Sequence, residues 1–180
     1  MNNTPQDVLK FWRDAGPEKW FKKDDTFDAA IADNFIPLYG RACRGELDDW
    51  AKEPDAATAL ILIFDQFSRN LYRNDARAFA QDGRCLRIVH DMMASGADRK
   101  VPEDIAPFVY MPLMHSEDLD DQQKCIDEME RLEKPDNVKF AQIHYDIIEK
   151  FGRFPHRNTV LGRVTTPEEA KFLTDGGFSG

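Results

Sequence analysis

The sequence predicts an all-α protein of about seven to nine antiparallel helices packed as a single compact domain over residues 1–180. Three observations predict it. Apolar residues recur at three- and four-residue spacing in segment after segment. Cap residues and prolines stand where those segments begin, and glycines where they end. Runs alternating apolar and polar residues, the mark of a half-buried strand, do not recur.

The elements follow in order. Thr4-Pro5-Gln6-Asp7 supplies a cap, a proline at the first helical position and an acid three residues after the cap. Val8, Leu9, Phe11 and Trp12 give that helix its apolar side, and Gly16 stops it. A second helix is expected from about Asp25, with Phe27, Ile31, Phe35 and Leu38 on one face and Pro37 kinking or ending it. After Pro54-Asp55, the residues Leu60, Ile63, Phe64, Phe67 and Leu71 make the clearest helical face, with Asp65 and Arg69 one turn apart on another. Asn74-Asp75 interrupts the pattern, and a fourth helix is expected from Ala76 to about Ala94, before Gly96. A stretch punctuated by Pro102, Pro107 and Pro112 reads as a connection. His115-Ser116-Glu117-Asp118 reads as a helix entrance capped by Ser116, with Leu119, Ile126, Met129 and Leu132 on the buried side. Another helix starts at Pro135-Asp136, buries Phe140, Ile143 or His144, Ile147 and Phe151, and ends at Gly152. Thr166-Pro167-Glu168-Glu169 opens a short last helix.

Composition bounds the function. With 42% apolar and 32% charged residues the chain is globular in character. No glycine-serine linker divides it, and no repeat of fixed period is visible. The N-terminus lacks a basic segment followed by an apolar run, and the longest apolar stretch, Ala59 to Phe64, is too short to span a bilayer, so a cytoplasmic protein is expected. Cys43, Cys85 and Cys125 are odd in number and widely spaced, which suggests reduced, packed thiols. The net charge of −9 argues against nucleic acid and anionic membranes as partners. Against that background, Lys150, Arg153, Arg157 and Arg163 form a cationic island containing His156 and no acid.

Three segments carry a resemblance: FDQFSRNLYR at 64–73, YMPLMHSEDLDDQ at 110–122 and FGRFPHRNTVLGRVTTPEE at 151–169. They resemble the bacterial family called domain of unknown function 924 over nearly the whole chain. The resemblance implies a tetratricopeptide-like α-α superhelix and brings no biochemical activity with it. The chain departs from the family pattern at Ser68, where proline is common, and at Phe11-Trp12-Arg13, which replaces a more aromatic start. Asp65, Gln66, Arg69 and Asn70 of the central motif are in place.

Arginine's planar fork binds a carboxylate or phosphate through two parallel hydrogen bonds, so Arg153, Arg157 and Arg69 are candidates to converge on an anionic ligand, with Arg163, Asn158, Asn70, Asp65 and Gln66 beside them. The alternative is structural: Asp65, Glu117 and Asp118 pair with these arginines and fix how helical hairpins meet. For Arg69 the one-turn spacing favours Asp65 as partner. His156, flanked by Pro155 and Arg157, has its protonated form disfavoured by like charge, and a neutral imidazole can act as a general base; it can equally hold a turn through a backbone carbonyl. His115 and Glu117 are weighed the same way, as proton-transfer groups or as parts of a helix cap. His115, Glu117, His144 and His156 lack dense ligand spacing, so no metal or other cofactor is expected. Nucleophile elbows and phosphate-cradling glycine loops are absent from the sequence. Trp12 reads as core, whereas Trp20-Phe21 either staples its loop or faces a partner.

Two functions are therefore expected in competition. In the first, a cleft lined by the DQFSRN, HSED and GRFPHRN segments binds a small anionic molecule, with Arg153, Arg157, Asn158, Arg69, Asn70, Asp65, Gln66 and Arg163 as binding residues and His156, His115 and Glu117 handling protons. In the second, a helical surface receives a peptide or protein partner and the motifs serve structure only.

Overall fold

A computed structural model describes residues 3–178. Helix α1 (Pro5–Ala15) opens on a capping box: Thr4 Oγ1 accepts from Asp7 N at 3.3 Å, and Asp7 Oδ2 accepts from Thr4 N at 2.7 Å. It closes at Gly16, whose φ of +72° lies in the left-handed region. A short helix α2 (Pro17–Trp20) follows, and then α3 (Asp25–Cys43), capped by the Asp24 carboxylate. Of the two outcomes expected at Pro37, an end to the helix does not occur, and α3 runs on to Cys43. Pro37 and Asp33 are both exposed, so water can satisfy the carbonyl left without its helical donor. Burial of Leu38, Tyr39 and Ala42 beyond the proline holds the chain helical.

A 3-10 turn (Asp48–Lys52) leads into α4 (Pro54–Ile61), which continues without interruption as a π segment (Leu62–Phe67) and then α5 (Ser68–Leu71). All six residues of the π segment are buried, the polar Asp65 and Gln66 among them. Helix α6 is Asp82–Ser95 and ends on Gly96 in the left-handed conformation. The expectation of one helix from Ala76 is corrected: Ala76–Phe79 is a separate 3-10 turn. Its Ala78 carbonyl accepts from Ser68 Oγ at 2.9 Å, a bond that replaces the one a continuous helix would supply from residue 82. The proline-rich stretch also differs from expectation, because it contains α7 (Pro107–Met114) with Pro112 inside. Proline is tolerated at the first position, and complete burial of Val109, Tyr110 and Leu113 holds the helix past the second proline.

In the remaining chain, α8 (Leu119–Arg131) and α9 (Pro135–Phe151) pack as a helical hairpin, and α10 (Pro167–Thr174) follows the island. The cap of α8 is Asp118 rather than Ser116: Asp118 Oδ1 accepts from Asp120 N at 2.9 Å and Asp121 N at 3.2 Å. Ser116 instead donates to the Asp121 carboxylate. Leu119 and Phe140, read as buried, are 40% and 53% exposed. With the continuous α4–π–α5 rod counted once, nine α-helices and no strand are present among the described residues. No helix among them is long and apolar enough to cross a membrane.

The chain falls into two compact units, residues 3–73 with Arg77–Pro112, and Asn74–Ala76 with residues 113–178. The first is organised on aromatic side chains. Trp12 is fully buried and meets Trp20 stacked at 6.1 Å, Phe108 edge-on at 5.3 Å, and Phe27 and Phe67. Trp20 Nε1 donates to the Trp12 carbonyl, so this tryptophan staples the α1–α3 connection. In the second unit Ile147, Ile148 and Phe154 form the core, with Ile143, Phe151, Phe172 and Phe178 packed against it.

Candidate functional site

The cationic island lies wholly in the second unit, from Lys150 in the last turn of α9 through the connection to α10. Gly152 ends α9 at φ +67°, Phe154 is extended, and Pro155–Arg157 makes a 3-10 turn. Two carboxylates fix this course. Glu169, 2% exposed, accepts from Arg153 Nε at 2.6 Å and Nη2 at 2.8 Å, from Asn158 Nδ2 at 3.1 Å, and from Thr166 N at 2.7 Å. The same side chain therefore completes the α10 capping box and closes the turn. Its hydrogen bond from Arg153 outweighs the cost of burial, and with help from the Thr166 N–H it holds the carboxyl down to about 2.

Glu117 grips the turn from the entrance of α8. Its Oε1 accepts from the Phe154 N–H at 2.8 Å, while its two oxygens receive Arg163 at 2.8 and 3.0 Å. Arg163 in turn donates to the Phe154 carbonyl at 3.1 Å, so the ion pair holds both polar groups of one residue. Burial pushes the Glu117 carboxyl up, but the Arg163 and Phe154 hydrogen bonds and the charges of Arg163 and Arg157 leave it below its ordinary value.

Behind the clamp, three histidines separated in sequence come together with aromatic rings. His115 and His144 lie 6.3 Å apart between ring centroids. His144 meets Phe154 at 5.5 Å and Phe178 at 4.5 Å, and His156 meets Phe154 at 5.6 Å and Phe178 at 5.5 Å. His144 Nδ1 bonds the Phe140 carbonyl one turn back, at 2.8 Å. His156 Nδ1 is buried and has no hydrogen-bond partner among the described residues. Burial first, then the charge of Arg157 and the nearby His144 and His115, depress the His156 imidazole to about 3, so it is neutral at physiological pH. The Arg157 guanidinium stacks on Phe154 at 4.4 Å and is 6% exposed. A shallow depression of about 470 Å³ flanks the turn, lined by Lys150, Phe151, Arg153, Thr166, Glu168 and Glu169; the histidines are not among its walls.

The DQFSRN residues lie in the first unit. Arg69 meets Asp65 Oδ1 at 3.1 Å and the Asp65 carbonyl at 2.9 Å, and forks onto Asp82 at 3.1 and 3.0 Å. Gln66 donates to Asp65 at 2.6 Å, and Asn70 donates to Asp28 at 2.7 Å. Arg153 and Asn158 thus share Glu169, Arg163 and Glu117 share Phe154, and His115 and His156 share one ring cluster. Glu169, Asp82, His144 and Phe178 were missed as members of these constellations. For Glu169 a signal existed: the third residue after a threonine cap aims its carboxylate back at the helix start. No group of three or more His, Cys, Asp or Glu able to hold a metal occurs among the described residues.

The sequence profile described as "Bacterial protein of unknown function (DUF924)" matches residues 8–177. The solved structure of a protein of unknown function from Agrobacterium tumefaciens is similar throughout, with a TM-score of 0.90 and 41% identity over 96% of this chain and 97% of that one. No curated protein matches the chain.

Proposed function

The chain belongs to the DUF924 family of bacterial proteins of unknown function, and from that premise we propose that its second unit binds a small anionic molecule at His156. The observation that supports this reading is the buried, unpartnered Nδ1 of His156 beside the positive charge of Arg157. A buried polar atom left without a hydrogen bond costs stability, and a site that tolerates the cost in the free protein is one a ligand can satisfy.

In this reading the residues divide. Arg69, Arg153 and Arg163 are engaged by carboxylates and hold the fold, with Asp65, Gln66, Asn158 and Glu117 as their supports, while Asn70 is engaged by Asp28. His156 meets the ligand, while Arg157 supplies the positive field and His115 and His144 shape the imidazole's surroundings. An anion placed at Nδ1 offsets the Arg157 charge and raises the imidazole toward its ordinary range, so binding draws in a proton. Proton transfer at His156 then operates only with the anion in place.

Phosphate and acetate serve as probes. Each is expected to shift the His156 ring resonances and to show proton uptake, seen as a binding heat that varies with buffer ionisation enthalpy, and His156→Gln is expected to abolish both. Unchanged resonances at saturating anion concentrations defeat the proposal.

A further inference from the structure

We infer that the ring of Phe178 occupies the subsite for an aromatic group of this ligand, which makes the preferred ligand an aryl-bearing carboxylate. The inference rests on the anion-binding reading of His156 and names the class of molecule.

Phe178 reaches the histidines on a purpose-built turn. Helix α10 ends at Thr174, Gly176 adopts φ +84°, and Gly177 N donates to the Phe172 carbonyl at 2.9 Å. A Cβ at position 177 would lie 2.5 Å from that carbonyl oxygen, a distance no side chain tolerates, so the close approach requires glycine. The turn delivers the Phe178 ring edge-to-face onto His144 at 60° and onto His156 at 75°. Two imidazoles set at such angles form a slot that recognises a flat ring by its quadrupole. Phe178 is only partly buried, whereas Phe154 beneath it is wholly buried, so the slot is filled from the surface side. The ring that fills it carries no anionic group for the neighbouring Nδ1 of His156. One ligand bearing a ring and a carboxylate would replace Phe178 in the slot and complete the imidazole's hydrogen bond at once. Phe178 is then a weak internal competitor, and the apparent affinity of the free protein is lowered by the fraction of time the slot is filled.

The experiment compares phenylacetate, cyclohexylacetate, acetate and phosphate by calorimetry on the full chain and on Phe178→Ala and Phe178→Leu, each checked for folding by thermal melting. The free protein should bind phenylacetate more tightly than acetate or cyclohexylacetate. Phe178→Ala should tighten phenylacetate by about tenfold or more while changing acetate little, with Phe178→Leu in between. Equal changes for all carboxylates, or weaker phenylacetate binding by Phe178→Ala, overturn the inference. If acetate and phosphate shift His156 while phenylacetate gains nothing over them, the anion site stands and the aromatic subsite falls. If no anion perturbs His156 in any variant, both fall together.

Discussion

Replacing Arg69 by methionine tests whether the central motif serves stability. Its guanidinium forks onto Asp82, reaches Asp65 at 3.1 Å, and covers the Phe79 ring at 5.4 Å. Asp65 is 1% exposed, and the Arg69 and Asp82 side chains are each 20% exposed, so the charges sit where water screens them poorly. Methionine preserves most of the apolar stem and removes the positive charge between two carboxylates. Breaking a buried pair from one side costs about 3–5 kcal/mol, which for a chain of this size lowers the melting temperature by roughly 6–20 °C. Urea titration at neutral pH measures the loss, and Arg69→Met with Asp82→Asn should recover part of it by removing one uncompensated charge. A single-variant loss below about 1 kcal/mol would show that the pairs contribute no more than exposed ones and would return Arg69 to the pool of ligand-binding candidates.

Four further outcomes are expected. Glu169 carries a carboxyl lowered from 4.5 to about 2, so its stabilisation is complete above 4.5 and is lost as pH falls toward 2; Glu169→Gln should flatten stability against pH in that window in acid denaturation. His156 is depressed from 6.5 to about 3, so the unfolded chain takes a proton that the fold refuses and stability declines as pH drops from 6.5 to 3; His156→Gln should remove this component, and the ring nitrogen shifts of the native protein should stay those of neutral imidazole down to pH 4.5 or below. Glu117→Ala strips the Arg163 fork and the Phe154 N–H of their acceptor, with an expected cost of about 2 kcal/mol in urea unfolding and a displaced His156 resonance; an unmoved resonance would mean that the clamp does not position the imidazole. Ser68→Ala removes the one hydroxyl proton shared between the Phe64 carbonyl at 2.6 Å and the Ala78 carbonyl at 2.9 Å and should cost about 1–3 kcal/mol, measured the same way.

What could be read from the sequence was what depends on neighbours in the chain. The cap and third-residue acid at Thr4/Asp7 and the helix start at Thr166-Pro167-Glu168-Glu169 were visible because helix entrances are fixed by local geometry. Asp65 and Arg69 were visible as a pair because one helical turn brings them together. Partnerships closed by the tertiary fold were not: Glu117 and Arg163 stand 46 residues apart, and Asn70 and Asp28 stand 42 apart. The histidine cluster joins positions 115, 144 and 156, and His144 looked like one more position on an apolar face. Helix interiors misled where burial overrode propensity, as at Pro112, or where exposure made a breaker harmless, as at Pro37.

The single carboxylate of Glu169 ties two segments that would otherwise come apart separately. An eight-residue helix such as α10 is too short to persist alone in water, and its amides would ordinarily exchange with solvent by fraying from either end. Here the first turn of α10 cannot unwind without releasing Arg153 and Asn158. The amides of residues 153–158 and of α10 therefore open in a single step with one shared protection factor, and a protease that waits for either segment to loosen must wait for both.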